Sequence, residues 1–144
     1  MLPQQRPSWD SYFINLATEI AKRSPDPKKQ VGCILVSENN IMISQGYNGL
    51  PRKVNEYDFD WSDRNLMRQL IIHAEMNCLL HAPKLPQLEK WCKLYCTMSP
   101  CIECLKMMKS YDVKEIIFNE EYREYLKVLE VAKILDIKLT KYIQ

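Results

Sequence analysis

Strand-like and helix-like segments alternate along these 144 residues, which predicts an α/β fold with three layers, α/β/α, around a five-stranded mixed sheet whose last two strands are parallel. Three observations carry that expectation. Short apolar runs recur at Val31–Val36, Ile41–Tyr47, Leu94–Met98 and Lys114–Phe118. Segments with helical spacing separate the later ones. The strand ending at Phe118 is joined to a last alternating segment, Ile137 to Ile143, by about a dozen helical residues, and a crossover of that length joins parallel neighbours rather than an antiparallel pair.

The elements follow from local chemistry. Ser8 is a good N-cap and Asp10 suits a first turn, so a helix starts there, with Trp9, Phe13, Leu16, Ala17 and Ile20 forming one apolar face. Lys22 and Arg23 suit its end, and Ser24-Pro25-Asp26-Pro27 breaks it. Glu38-Asn39-Asn40 supplies turn chemistry between the first two strands, a hairpin. Residues 48–66 are polar and irregular and are expected to be a loop. Of the three glycines, Gly46 and Gly49 flank Tyr47-Asn48, where the backbone is expected to need them. A helix runs from His73 to Ala82 and stops at Pro83. Pro100 is expected to open the next helix, where its missing N–H costs nothing. A last helix covers Tyr122 to Leu135 with Tyr125, Leu126, Leu129 and Ala132 inward. The final strand alternates Ile137, Leu139, Lys141 and Ile143 with Lys138, Thr140 and Tyr142.

Bulk properties bound the function. The length suits one domain, 1–144, with a real core. A net charge of +2 gives no bulk drive toward nucleic acid, and no apolar run approaches a membrane span. The first nine residues lack an apolar stretch, so a cytoplasmic address is expected. Six cysteines in such a chain point to metal binding or burial rather than disulfides.

The chemistry concentrates in His73-Ala74-Glu75 and, 28 positions after His73, in Pro100-Cys101-Ile102-Glu103-Cys104. One imidazole and two thiolates suit zinc, and three protein ligands leave a fourth tetrahedral position for water. Cys101 and Cys104 are expected in one helical first turn, facing the same point, where the positive end of the helix favours thiolate. Glu75, two residues after His73, can stand beside the metal without binding it and shuttle protons. H-x-E…P-C-x-x-C is the signature of the zinc deaminases. The competing reading is a closed structural zinc site with Cys78, Cys92 or Cys96 as fourth ligand, which leaves Glu75 without a role. Cys33 and Cys78 read most simply as core fillers. Cys92 and Cys96, about 13 Å apart along a strand, cannot share an ion.

From Trp9 to Tyr142 the sequence resembles the deoxycytidylate (dCMP) deaminase family within the cytidine deaminase superfamily. The resemblance rests on Trp9-Asp10-Ser11-Tyr12-Phe13, on Lys22 to Pro27 with Gln30-Val31-Gly32, on Gly46-Tyr47-Asn48-Gly49, and on His73–Asn77 with Ser99–Cys104. It implies a cytidine-deaminase-like fold and a single zinc-dependent deaminase domain. The implied reaction is dCMP and water to dUMP and ammonia, by a zinc-bound hydroxide with Glu75 as proton shuttle, supplying dUMP for thymidylate synthesis. His73, Cys101 and Cys104 would hold one Zn2+. The Ala74 N–H would meet the pyrimidine carbonyl and the Ser99 carbonyl the exocyclic amine. Asn48 would bond the sugar 3′-hydroxyl, Arg23 and Ser24 would serve the 5′-phosphate, and Tyr122 would lie near the base. Arg123 stands where the family has His, and the segment before Tyr122 is one residue shorter. Asn48 between glycines is also an ideal turn residue, and Lys28, Lys29, Arg52 and Lys53 are further phosphate candidates. The resemblance further implies a homo-oligomer, commonly a hexamer, with dCTP and dTTP as effectors and Mg2+ accompanying the effector nucleotide. Deamination of dCTP by the same site, editing of tRNA or single-stranded DNA, and a zinc-stabilised binding module without activity are the competing functions.

Overall fold

The computed structural model describes residues 1–84 and 91–144. Its elements are α1 (Trp9–Ala21), β1 (Gly32–Ser37), β2 (Met42–Tyr47), α2 (Arg64–Leu70), α3 (Ala74–Leu80), β3 (Cys92–Met98), α4 (Ile102–Ser110), β4 (Val113–Glu120), α5 (Tyr125–Leu135) and β5 (Lys138–Lys141). The five strands form one sheet in the order β2-β1-β3-β4-β5. β1 is antiparallel to both β2 and β3, while β3, β4 and β5 run parallel. This is the mixed sheet expected from the crossover lengths.

Both faces of the sheet are covered, so its central strands are buried on alternate sides. Phe13, Ile14 and Ala17 of α1 pack on Ile34, Val36, Tyr95 and Ile117. The opposite face, with Cys33, Leu35, Leu94, Cys96 and Ile116, meets residues of α3, α4 and α5. The result is the three-layer α/β/α architecture. Tyr95, in the α1 layer, satisfies its hydroxyl by donating to Asp10 Oδ1 at 2.6 Å. No helix among the described residues is long and apolar enough to cross a membrane.

Several local expectations are corrected. α1 buries Phe13, Ile14, Ala17 and Ala21, whereas Trp9 is 53% exposed and stacks on Phe13. The rotation follows from Gly32: a Cβ there would lie 2.2 Å from the Ala17 carbonyl oxygen, so the helix presents its alanines to the strand at close range. Ser8 does cap α1, accepting from the Ser11 N–H. The segment 48–66 is not irregular throughout: α2 begins at Arg64, capped by Asp63, whose carboxylate accepts from the Leu66 N–H. Only Met67 of α2 is buried, so it lacks the wide apolar stripe that marks a helix in sequence. Pro100 and Cys101 both precede α4, with Cys101 at the N-cap. Tyr122 likewise precedes α5, which buries Val128 and Ala132 and leaves Leu126 82% exposed. In β5, Leu139 packs on one core and Tyr142, just beyond the strand, on the other.

The expected glycine roles also divide. At Gly46 a Cβ would lie 2.4 Å from the Ala74 carbonyl oxygen and 2.5 Å from the Cys78 nitrogen, so α3 rests directly on β2. At Gly49 a Cβ meets nothing closer than 3.7 Å, and no glycine has a positive φ. Gly46→Ala is therefore expected to destabilise by about 3 kcal/mol, and Gly49→Ala by less than about 0.5 kcal/mol, measured by urea denaturation. Equal effects at the two positions would contradict this packing.

Candidate metal centre and active site

Two helix starts converge beside the end of β3. His73 is the N-cap of α3, and Cys101 is the N-cap of α4. Cys104, one turn further, is buried, and its N–H donates to Cys101 Sγ at 3.5 Å. His73 Nδ1 lies 3.4 Å from each sulfur, and the three ligand atoms are all within 4.8 Å of one another. Zinc bonded at about 2.3 Å to sulfur and about 2.0 Å to nitrogen in a tetrahedron sets N···S edges of about 3.5 Å. The donor set therefore fits a tetrahedral zinc ion in both chemistry and spacing.

Electrostatics agree with that fit. The hydrogen bond with Cys104 and then His73 bring the Cys101 thiol down to about 4, against the opposing effect of burial. Cys104 moves the other way, first because it shares a proton with Cys101 and then by burial. His73 is raised, chiefly by its hydrogen bond with Cys101. Two sulfurs in such contact cannot both shed their protons without a cation between them.

No other His, Cys, Asp or Glu among the described residues joins the cluster. The remaining cysteines that could have closed a structural site are otherwise engaged. Cys78 Sγ contacts Ser44 Oγ at 3.1 Å, Cys92 Sγ faces the Tyr111 and Asp112 carbonyls, and Cys96 donates to Glu75. Glu75 sits in the first turn of α3, 4% exposed, with its carboxyl pushed up by burial against opposing hydrogen bonds from Cys96 and Cys104. It stands beside the cluster without belonging to it, and it lines a cleft of about 240 Å³.

That cleft brings together His73, Ala74, Glu75, Ser99, Cys101, Asn48 and Tyr122. Ala74 is the first residue of α3, where backbone N–H groups have no partner within the helix. Ser99 Oγ accepts from the Tyr122 N–H at 2.7 Å, which ties the loop before α5 to the end of β3. Asn48 bridges backbone: its Oδ1 accepts from the Val31 N–H and its Nδ2 donates to the Lys29 carbonyl, both at 2.8 Å. An amide has capacity for further bonds beyond these two.

Arg23 and Ser24 do not line the cleft. Arg23 is exposed, and Ser24 Oγ donates to the Asn48 carbonyl at 2.8 Å. The cations in the lining are instead Lys29, Arg64, Arg68 and Arg123, without Lys28, Arg52 or Lys53. Lys29 Nζ lies 4.2 Å from the centroid of the Tyr122 ring. Arg64 is committed to Asp26 through two parallel bonds of 3.0 Å, a bidentate pair that pins α2 to the loop after α1. That clamp builds one wall of the cleft and was not read from the sequence. The available signals were an acid inside a proline-bounded loop and Asp63 capping Leu66, Met67 and Leu70 at helical spacing.

A three-layer α/β/α domain thus carries a His-Cys-Cys cluster that fits a metal ion, beside a buried glutamate at the foot of a cleft. Residues 7–120 match the family described as the cytidine and deoxycytidylate deaminase zinc-binding region, and the chain belongs to that family. It is 40% identical over 144 residues to the deoxycytidylate deaminase of Saccharomyces cerevisiae, covering 93% of this chain and 46% of that protein. It is 32% identical over 123 residues to the human deoxycytidylate deaminase, covering 81% of this chain and 67% of that one. The chain spans about half the length of the two yeast relatives it matches. The dCMP deaminase of cyanophage S-TIM5 superimposes with a TM-score of 0.74 at 23% identity, covering 96% of this chain and all of that one. A structure of the cyanophage protein in complex with dCMP and dUMP gives a TM-score of 0.72 at 22% identity and 96% of this chain.

The Asp26–Arg64 clamp makes a measurable prediction. Asp26 is 2% exposed. Burial alone would raise its carboxyl, but Arg64 and the Lys28 and Lys29 N–H groups together hold it below the usual value. Its contribution to stability is present above the unfolded pKa of about 4 and lost as pH falls through the lower folded value. Arg64→Gln is expected to cost about 3 kcal/mol at pH 7, with the gap from the unmodified protein narrowing in acid, read from urea denaturation across pH. A gap that does not change with pH would contradict the assignment.

Proposed function

We infer that residues 1–144 act as one zinc-dependent deaminase domain that converts dCMP and water to dUMP and ammonia. The observation that carries this is the open His73-Cys101-Cys104 cluster with Glu75 beside it and not in it. The yeast and human relatives named deoxycytidylate deaminase, and the complex of the cyanophage enzyme with dCMP and dUMP, support the choice of substrate.

His73 Nδ1 and the two cysteine sulfurs would hold the zinc, which when bound lowers the pKa of water and polarises it as a nucleophile. The chain's own residues do the rest. Glu75 takes a proton from the attacking water and delivers protons to the ring nitrogen and the departing amine. The Ala74 N–H, unused by its helix, binds the pyrimidine carbonyl, and the Ser99 carbonyl receives the exocyclic amine. Asn48, fixed to the backbone of Lys29 and Val31, offers its remaining hydrogen-bonding capacity to the sugar 3′-hydroxyl. Tyr122 closes the cleft beside the base, with Lys29 over its ring. Lys29, Arg68 and Arg123 take the phosphate role in place of Arg23 and Ser24, because these cations line the cleft without the strong acidic partner that occupies Arg64.

The test is a substrate panel of deoxycytidine, dCMP, dCTP and CMP, plus single-stranded DNA and tRNA, on the zinc-loaded protein with and without dCTP or dTTP. Ammonia release is expected with dCMP as the best substrate. Glu75→Ala should keep one zinc per chain and lower kcat by about 10²- to 10⁴-fold. Release from nucleic acid but not from dCMP, or a silent Glu75→Ala, would overturn the reading.

A further inference from the structure

Glu75 has a partner that the reaction as described leaves unused. Cys96 lies inside β3, fully buried, and its Sγ is 3.1 Å from Glu75 Oε1, to which it donates. The contact is built from both sides. β3 carries Cys96 and runs on into Ser99 and Cys101, while α3 carries Glu75 and rests on β2 at Gly46. Behind Cys96 stands Cys33, its register partner on β1 and a hydrogen-bonding neighbour. Behind Cys33 come Cys78 and then Ser44 Oγ. Cys96, Cys33 and Cys78 are all buried, and this row leads from the carboxylate to half-buried Ser44.

We propose that Cys96 is a positioning residue whose thiol holds one carboxylate oxygen of Glu75 and so sets the orientation of the proton shuttle. The proposal rests on the deaminase reading above. Cys104 also neighbours Glu75, but a sulfur that binds zinc is a thiolate with no proton to give. With Cys104 serving the metal, Cys96 is the thiol that still has a proton for Glu75. Burial lifts the Cys96 thiol to about 11, so it keeps that proton at neutral pH. A shuttling carboxylate works by rotating little between accepting a proton and passing it on. Pinning one oxygen leaves the other for the chemistry in the cleft.

The experiment compares Cys96→Val, which removes the donor at similar size, with Cys96→Ser, which keeps one. On the zinc-loaded protein, Cys96→Val is expected to lower kcat for dCMP by roughly tenfold, with KM within about twofold and one zinc per chain, and Cys96→Ser to recover most of the loss. A second readout needs no turnover. The infrared S–H stretch of Cys96 in the unmodified protein should lie at the low frequency of a hydrogen-bonded thiol and shift upward in Glu75→Ala. An unchanged kcat in Cys96→Val, equal losses in Val and Ser, or an S–H band indifferent to Glu75→Ala would each overturn the proposal. If Cys96→Val fails to fold, the serine variant and the infrared band decide. If the unmodified protein leaves dCMP intact, the substrate reading fails, and the infrared band alone decides whether Cys96 holds Glu75.

Discussion

Two cysteine sulfurs and an imidazole nitrogen held within 4.8 Å of one another are the constraint on which the rest of the site depends. Such a group is costly to assemble, because thiolates repel and buried charge needs a counter-charge. The fold meets the requirement by placing the first donors at helix N-caps, where backbone N–H groups and the helix dipole favour negative sulfur. The approach of α3 to the sheet is set by the missing side chain of Gly46. The position of α4 is set by the parallel β3–β4 pair that it connects. Sheet geometry thus determines the spacing of His73 from Cys101 and Cys104, although they are far apart in sequence.

Polar bonds tie the segments of the cleft wall above the metal cluster to one another. Asn48 ties the hairpin to the entry of β1, Ser24 ties the loop after α1 to Asn48, and the Asp26–Arg64 pair ties that loop to α2. Hydrogen bonds and ion pairs specify direction, which apolar contact does not. That suits a cleft wall whose role is to present N–H, amide and cationic groups at definite angles. The apolar cores lie on either side of the sheet, and one of them reaches the cleft at Ala74.

The parallel last pair of strands and the metal cluster were legible in the sequence because each follows from spacing. Crossover lengths specify parallel neighbours, and a histidine and a C-x-x-C pair at helix starts specify a convergent set of donors. The rest depended on distances that spacing does not encode. Helix α2 buries only Met67, so its apolar signal is faint. The inward face of α1 turns on a contact between Ala17 and Gly32, and that of α5 on Val128 rather than Leu126. Arg23 and Lys29 are both cations near the end of α1 by sequence, yet only Lys29 lines the cleft. By sequence Cys96 enters only as a candidate metal ligand, and only the three-dimensional placement of β3 against α3 sets it on Glu75.

The membership of the metal shell is the point on which the account stands. X-ray absorption at the zinc edge of the metal-loaded protein counts sulfur and lighter ligands directly. Two sulfur and two nitrogen or oxygen neighbours are expected, one of the light atoms being lost or exchanged when a competing anion such as cyanide is added. Three or four sulfur neighbours, with no response to added ligand, would show a closed structural site and contradict the catalytic reading.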